Sequence, residues 1–262
     1  MSSKPILFNT KMVKAILDGR KTQFRIPVNV SSDCTYYASG INKTAISSNF
    51  NNFEAIFVLP KDKWKNSLTP KLGYFSSCYK DGDIIFVQED WKVGGWNNTS
   101  FAFDHSCEPF DKSWHNPPSK ENFYDLLRNT LDELEAMKYP NKNGEYKWEK
   151  FKSPLKMMDK STMQDWMARI FLKVTNVRVE RLQDISDDDC IKEGISEVGF
   201  YPDEGYPLCT GYMAEKDDGK TALANTPQKP FSELWNSTTK KGYKWEDNPY
   251  VFVYEFERIE KQ

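Results

Sequence analysis

The sequence predicts a mixed α+β fold in which a small barrel-like sheet is flanked by short helices and interrupted by large insertions. Apolar or alternating runs at 84–87, 170–181 and 250–259 predict strands. The clearest helix follows Ser119, where apolar residues recur at helical spacing. Because strands and short helices are mixed along the chain, the pattern favours an α+β architecture.

The N-terminal elements are an edge strand and a helix. A short apolar run at 4–8 predicts the strand, and the apolar residues between 12 and 17 recur at helical spacing. Asn9 or Thr10 can cap the front of this helix, and Gly19 suits the left-handed position just past its end.

A cluster of hydrogen-bond donors follows this helix. Arg20, Lys21, Thr22, Gln23 and Arg25 fall within six residues at the boundary of an element, where loops usually carry function. These residues are candidates for a binding or catalytic site. The alternative is a solvated basic turn.

The central segments are less regular. Within 28–80 one strand is clear, at 55–59, and residues 92–118 have the glycine, asparagine and proline content of loops. Ser119 caps the helix named above. The lysine-rich segment 141–160 interleaves aromatic residues, a pattern that can stack bases and hold phosphates. Lysines on a surface with inward-pointing aromatics give the same pattern.

Polar residues stand at the ends of two predicted strands. The strand at 84–87 runs directly into Glu89 and Trp91, so this strand end is expected at a rim or cleft. Arg169 lies beside Trp166 at the head of another strand, where a buried arginine needs a partner. Arg169 is therefore a candidate ligand-binding residue.

The C-terminal half adds strands and short helices. In 170–181 the apolar alternation changes phase at Thr175-Asn176, which indicates a bulge or two joined strands. A serine cap, an acidic first turn and a glycine stop predict a helix at 186–194, and another helix starts at Pro230. The strand at 250–259 alternates with its aromatic residues on one face.

Composition and charge narrow the classes of function. The chain has 262 residues and a net charge of −2. A nearly neutral protein has no overall positive potential to attract a long nucleic-acid duplex, so we expect any contact with nucleic acid to be local. Five scattered cysteines without a CxxC pair indicate reduced thiols, and two histidines make a zinc site unusual. With no signal peptide and no membrane-spanning apolar run, we expect a soluble cytoplasmic protein without membrane partner, metal or cofactor.

Several motifs occur in a fixed order along the chain. They are ILDGRKT at 16–22, GDIIFVQEDW at 82–91, WMARI at 166–170, VRVERLQDI at 177–185, IKEGI at 191–195, FSELW at 231–235 and NPYVF at 248–252. Together they resemble the ASCH-domain proteins of the PUA-like superfamily, in the long form encoded by phages and prophages.

The resemblance implies a single PUA-like domain, a small β-barrel with flanking helices and a cleft associated with RNA or modified nucleosides. The implied core and insertions divide the whole chain. The core segments are about 4–27, 82–91, 166–195 and 230–259, and the insertions are 28–81, 92–165 and 196–229.

The superfamily also suggests an enzyme. Small bacterial members are acetylcytidine amidohydrolases, and another ASCH protein has been described as a ribonuclease. The amidohydrolase motif has a lysine, a hydroxyl residue three positions later and a glutamate in a later short helix. By resemblance Lys21 and Glu193 match the lysine and the glutamate, but Phe24 occupies the hydroxyl position and removes the presumed nucleophile. Thr22 offers a displaced hydroxyl, and a plain salt bridge between Lys21 and Glu193 is the alternative.

Binding requires fewer groups than catalysis. Arg20, Lys21 and Arg25 can meet phosphate or a base edge, while Trp91 or Trp166 offers a stacking face. We therefore expect a cleft that binds RNA or a nucleotide-like ligand. A hydrolase is the second hypothesis, and a phage protein whose insertions bind a host protein is the third.

Overall fold

The structure, a computed structural model, is a mixed α+β fold, as predicted. It describes residues 3–30, 35–41, 53–64, 71–107, 113–143, 145–201, 208–215 and 218–261. The strands are β1 (Lys4–Leu7), β2 (Gln23–Pro27), β3 (Thr35–Ile41), β4 (Phe53–Val58), β5 (Leu72–Ser76), β6 (Ile84–Gln88), β7 (Trp91–Trp96), β8 (Phe101–His105), β9 (Trp114–His115), β10 (Asn141–Lys142), β11 (Glu145–Tyr146), β12 (Phe171–Arg181), β13 (Ser196–Phe200), β14 (Cys209–Met213) and β15 (Tyr250–Ile259). The α-helices are α1 (Thr10–Leu17), α2 (Lys120–Ala136), α3 (Asp187–Lys192) and α4 (Gln228–Thr238). No sheet in these described ranges closes into a barrel.

The chain separates into two compact units. Unit 1 comprises Met1–Leu17, Ile84–Leu172 and Ile259–Gln262, and unit 2 comprises Asp18–Asp83 and Lys173–Arg258. The expected core segments fall into both units. The division into one domain with three insertions stays a prediction.

Unit 1 contains a parallel strand pair and a three-stranded antiparallel sheet. β1 pairs in parallel with β6, and β7, β8 and β9 form the sheet. The loop prediction for 92–118 is therefore wrong in its strand portions. Val93, Phe101 and Phe103 are buried there and alternate with more exposed residues, so the segment has a core face despite its glycines and asparagines.

Both helices of unit 1 begin where the sequence indicates. The Asn9 side chain accepts a hydrogen bond from the Met12 amide at 2.9 Å, which caps α1. Ser119 caps α2 in the same way through the Asn122 amide at 3.1 Å. The buried face of α2 includes Leu134, which belongs to the aromatic-rich core of this unit.

Unit 2 contains more strand than the sequence indicates. The strand expected at 55–59 is β4, which lies between β3 and β5 in an antiparallel sheet. β13 and β14 form a hairpin, so the expectation of a loop throughout 196–229 is wrong. β12 is one continuous strand, and Thr175 and Asn176 are both exposed where its phase changes.

β2 and β15 pair antiparallel and place aromatic residues in the core of unit 2. Phe24 lies opposite Tyr254, with ring centroids 4.8 Å apart in a stacked arrangement. Tyr79 and Phe256 pack on the same ring. β15 is buried on its other face too, where Val251 and its neighbours pack in a second hydrophobic cluster, so the strand has two core faces.

The stacked position of Phe24 predicts a large loss of stability on truncation. We expect Phe24→Ala to lower the free energy of unfolding by about 3–5 kcal/mol, because it removes a buried ring from a closely packed cluster. Urea unfolding followed by circular dichroism measures the change. Tyr74→Ala, at an exposed position of β5, is the matched control and is expected to change stability by less than about 0.5 kcal/mol. Equal losses in the two variants would contradict the core placement of Phe24.

Candidate functional site

Charged side chains from four elements of unit 2 converge around Lys21. Alternation along β2 turns Lys21, Gln23 and Arg25 to the side opposite Phe24. The end of α3, together with β12 and β15, brings the carboxylates. We call this set the ion cluster: Lys21, Gln23, Arg25, Arg178, Glu180, Asp189, Glu193 and Glu255.

Lys21 and Glu193 form the centre of the ion cluster. The Lys21 ammonium donates to Glu193 Oε2 at 2.5 Å and to the Glu193 backbone oxygen at 2.9 Å. The backbones of the two residues also form an isolated β-bridge, and the Thr22 amide donates to the Lys192 oxygen at 2.8 Å. Main-chain bonds therefore hold the two residues at this spacing in addition to the contact between their charges.

Arg25 joins the centre to further carboxylates. Its Nη1 donates to Glu193 Oε1 and to Gln23 Oε1, each at 2.7 Å. Its Nη2 donates to Glu180 Oε1 at 2.7 Å and to Asp189 Oδ2 at 3.2 Å. Glu193 thus gives one oxygen to Lys21 and the other to Arg25.

Arg178 forms the more exposed rim. Its guanidinium donates to Glu180 at 3.0 Å, to Glu255 at 2.7 Å and to Asp189 at 2.5 Å. The side chain of Arg178 is 30% exposed, whereas those of Lys21 and Arg25 are 0% exposed. Solvent therefore reaches the ion cluster from the rim.

The pKa values of the two central cations shift in opposite directions. It lowers the pKa of Lys21 below 10.5, and the charge of Glu193 opposes this only in part. Burial also acts to lower the pKa of Arg25, but its contacts with Glu193 and Glu180 outweigh that effect and raise it. Arg25 therefore stays protonated, whereas Lys21 loses its proton more readily than an exposed lysine does.

The other donors of the basic stretch lie outside this buried environment. Arg20 donates to the Gly194 oxygen at 2.5 Å and pairs with Asp18 at 3.4 Å, so it binds the end of α3. Thr22 is exposed, while Lys21 is buried. The Thr22 hydroxyl therefore does not share the environment of the Lys21 ammonium.

The remaining candidates belong to unit 1. Arg169 forms a two-bond ion pair with Glu89, at 2.8 and 2.7 Å, which supplies the partner expected for it. Glu89 is buried, so it does not stand at an open rim. Trp91 is also buried, with its ring edge-on to Phe103, which places it in the core.

Trp166 is partly buried in the same unit, and its indole nitrogen donates to Gln164 Oε1 at 2.7 Å. The expected cleft residues thus fall into two sets. Arg20, Lys21, Thr22, Arg25 and Glu193 belong to unit 2, and Trp91, Trp166 and Arg169 belong to unit 1.

Four members of the ion cluster were not predicted from the sequence, although two signals were available; they are Arg178, Glu180, Asp189 and Glu255. Asp189 precedes Glu193 by four residues, which places both on one side of a helical turn. Arg178 and Glu180 are two apart on β12 and so share a face of the strand. The partner of Glu255 could not be predicted from the local sequence, because Glu255 and Arg178 are 77 residues apart.

Comparisons with protein-family models, with curated proteins and with solved structures found no match for this chain. Across the described ranges, no group of three or more His, Cys, Asp or Glu side chains is arranged to hold a metal ion. Among the helices that the structure describes, none has the length and apolar character to cross a bilayer.

The shared carboxylate predicts an asymmetric response to mutation. We expect Glu193→Ala to lower the free energy of unfolding by about 3–5 kcal/mol, because Lys21 and Arg25 stay buried after their common partner is lost. Chemical denaturation measures the change, with Glu197→Ala at an exposed position as control. In the double variant Lys21→Met/Glu193→Leu we expect part of the stability to return. A double variant no more stable than Glu193→Ala would contradict this account.

The lowered pKa of Lys21 predicts a pH dependence of stability. Between the folded pKa of Lys21 and its unfolded value of 10.5, the unfolded chain binds more protons. The contribution of Lys21 to the free energy of unfolding therefore rises with pH up to that value. We expect the difference between wild type and Lys21→Met/Glu193→Gln to slope upward over this range in denaturation curves taken at successive pH values. Cys190, whose pKa burial raises to about 12, is present in both proteins. A flat or falling difference would contradict the prediction.

Proposed function

We propose that this chain is a PUA-like protein of the ASCH type that binds RNA or a nucleotide-like ligand, such as a modified nucleoside, at the ion cluster. The carrying observation is that Lys21 and Arg25 are buried and both bound to Glu193. A buried ion pair is seldom more stabilising than apolar residues of the same volume. The fold by itself therefore gives little reason for this arrangement, whereas a preorganised set of donors and acceptors suits ligand recognition.

The charges of the ion cluster favour a base or sugar over a phosphate. Its three cations and four carboxylates sum to −1. Guanidinium and carboxylate groups pair with the acceptor and donor edges of bases. At the rim, Arg178 and Glu255 offer both kinds of group to solvent. We expect the ligand to enter here and to replace part of the ion pair between Arg178 and Glu255.

A hydrolase is the second candidate, and one observation favours it. The 2.5 Å contact between Lys21 and Glu193, with the pKa of Lys21 lowered by burial, suits a pair that accepts and relays a proton. Neither position expected to supply the nucleophile supports this candidate, because Phe24 lies in the aromatic core and Thr22 is exposed. Cys190 is no substitute, since burial raises the pKa of its thiol to about 12.

We also propose a cytoplasmic setting, supported by the free thiols of the four cysteines in the described ranges. A host protein that binds the expected insertions remains a further proposal from the sequence.

Binding and hydrolysis can be tested in one set of samples. The protein is titrated with cytidine, acetylcytidine and a structured RNA by calorimetry, and each mixture is then analysed chromatographically for products. We expect binding by wild type and a loss of about tenfold or more in Lys21→Ala and Arg178→Ala, since each removes a charged hydrogen-bonding group. Arg178→Ala is included because its rim position spares the buried centre.

Lys241→Ala, a change of an exposed lysine in unit 2, is the matched control and is expected to bind like wild type. Circular dichroism shows that each variant is folded. If all variants behave like wild type in both assays, the ion cluster is not the site. Release of acetate by wild type but not by Lys21→Ala would replace the binding proposal with the hydrolase.

A further inference from the structure

Unit 1 contains an open cavity lined by aromatic and polar side chains, none of which belongs to the ion cluster. Its volume is about 610 Å³, within the usual range for ligand sites. Two segments form its lining, residues 94–98 at the end of β7 and residues 145–148 at β11. Both fall within the expected insertion 92–165, so the cavity lies outside the motifs that carry the family resemblance.

Two tryptophans give the cavity an aromatic wall. The ring centroids of Trp96 and Trp148 lie 5.7 Å apart, with the ring planes at 56° to each other. The rings are therefore not stacked face to face, and each half-buried indole presents surface to the cavity. Tyr139 packs edge-on against Trp148, and Trp148 Nε1 donates to the Gly94 oxygen at 2.8 Å. These contacts hold Trp148 in place without a ligand.

Beside this wall, the lining offers a ligand several hydrogen-bond donors. The Asn97 side-chain oxygen accepts from the Thr99 amide at 2.8 Å and from the Ser100 amide at 2.9 Å. The group that Asn97 can offer to a ligand is therefore its NH₂. Two further donors, the Trp96 indole N–H and the Tyr146 hydroxyl, have no hydrogen-bond partner within the described ranges.

The charges of the lining cancel. Glu145 and Lys147 form an ion pair at 3.0 Å, and their side chains are 69% and 82% exposed. The cation of the described lining is thus already paired, and the cavity has no positive potential that would attract a phosphate. The ligand that fits best is uncharged, has an apolar surface for the wall and has acceptors for the donors beside it.

We infer that this cavity binds a proline-rich peptide segment in the polyproline II conformation. The backbone of such a segment makes no internal hydrogen bonds, so its carbonyl groups can accept from Trp96, Tyr146 and Asn97. Proline has no N–H to satisfy, and its ring packs against aromatic side chains. A sugar or a nucleobase brings donors of its own, whereas the Gly94 and Asn97 oxygens are already occupied. The inference rests on this lining and not on the function proposed for the ion cluster.

A decaproline peptide with acetylated and amidated ends is the direct probe, used with the whole 262-residue chain. Calorimetry and saturation-transfer NMR are expected to detect saturable binding. A glycine–serine peptide of the same length is flexible and lacks the proline rings, so we expect it not to bind. Trp96→Phe and Tyr146→Phe each keep a ring and remove one donor, and each is expected to weaken decaproline binding by about fivefold.

Tyr124→Phe removes the hydroxyl of an exposed tyrosine outside the lining and is the matched control, expected to bind decaproline like wild type. Circular dichroism shows that each variant is folded. No saturable binding of decaproline at millimolar concentration would overturn the inference, as would unchanged binding in folded Trp96→Phe and Tyr146→Phe. Equal binding of the glycine–serine peptide would also overturn it. If chitotriose or cytidine binds in place of decaproline and Tyr146→Phe weakens that binding, the cavity takes a sugar or a base and the inference is wrong.

Discussion

One carboxylate, that of Glu193, compensates two buried cations, and the polar architecture of unit 2 depends on it. Each of its oxygens serves a different cation, so neither Lys21 nor Arg25 has a complete set of contacts without α3. Arg25 extends the arrangement to Glu180 on β12 and Asp189 on α3, and packs 5.7 Å from the ring centre of Phe231 on α4. β12 and α3 are therefore tied to β2 by the need to compensate charge, and α4 contributes an apolar ring against the same guanidinium.

The pleat of β2 separates two kinds of chemistry by one residue. Lys21, Gln23 and Arg25 face the ion cluster, whereas Phe24 stacks on Tyr254. A hydroxyl at position 24 would stand in an aromatic core, where it would need its own hydrogen-bond partner. At position 24 the strand therefore carries a ring of the core and no nucleophile.

Local sequence patterns predicted much of the fold, and their failures have physical causes. The Ser119 cap and the strands at 84–87 and 250–259 could be read directly, because caps and periodicity are short-range signals. The strands within 92–118 were missed because glycines and asparagines there stand in a sheet instead of in loops. In the candidate site, the pairing of Lys21 with Glu193 followed from resemblance, but the bonds to Glu180 and Glu255 depend on tertiary register that no local pattern contains.

Lys21 and Glu193 are 172 residues apart in the sequence, which affects when they can pair during synthesis of the chain. Lys21 and Arg25 are synthesised long before the carboxylate that compensates them, so they must stay hydrated in the nascent chain. β2 also lacks its pairing partner until β15 has been synthesised, near the other end of the chain. Burial of Lys21 and Arg25 is thus a late event in synthesis, and a ribosome stalled before α3 would hold a chain in which the ion cluster cannot form.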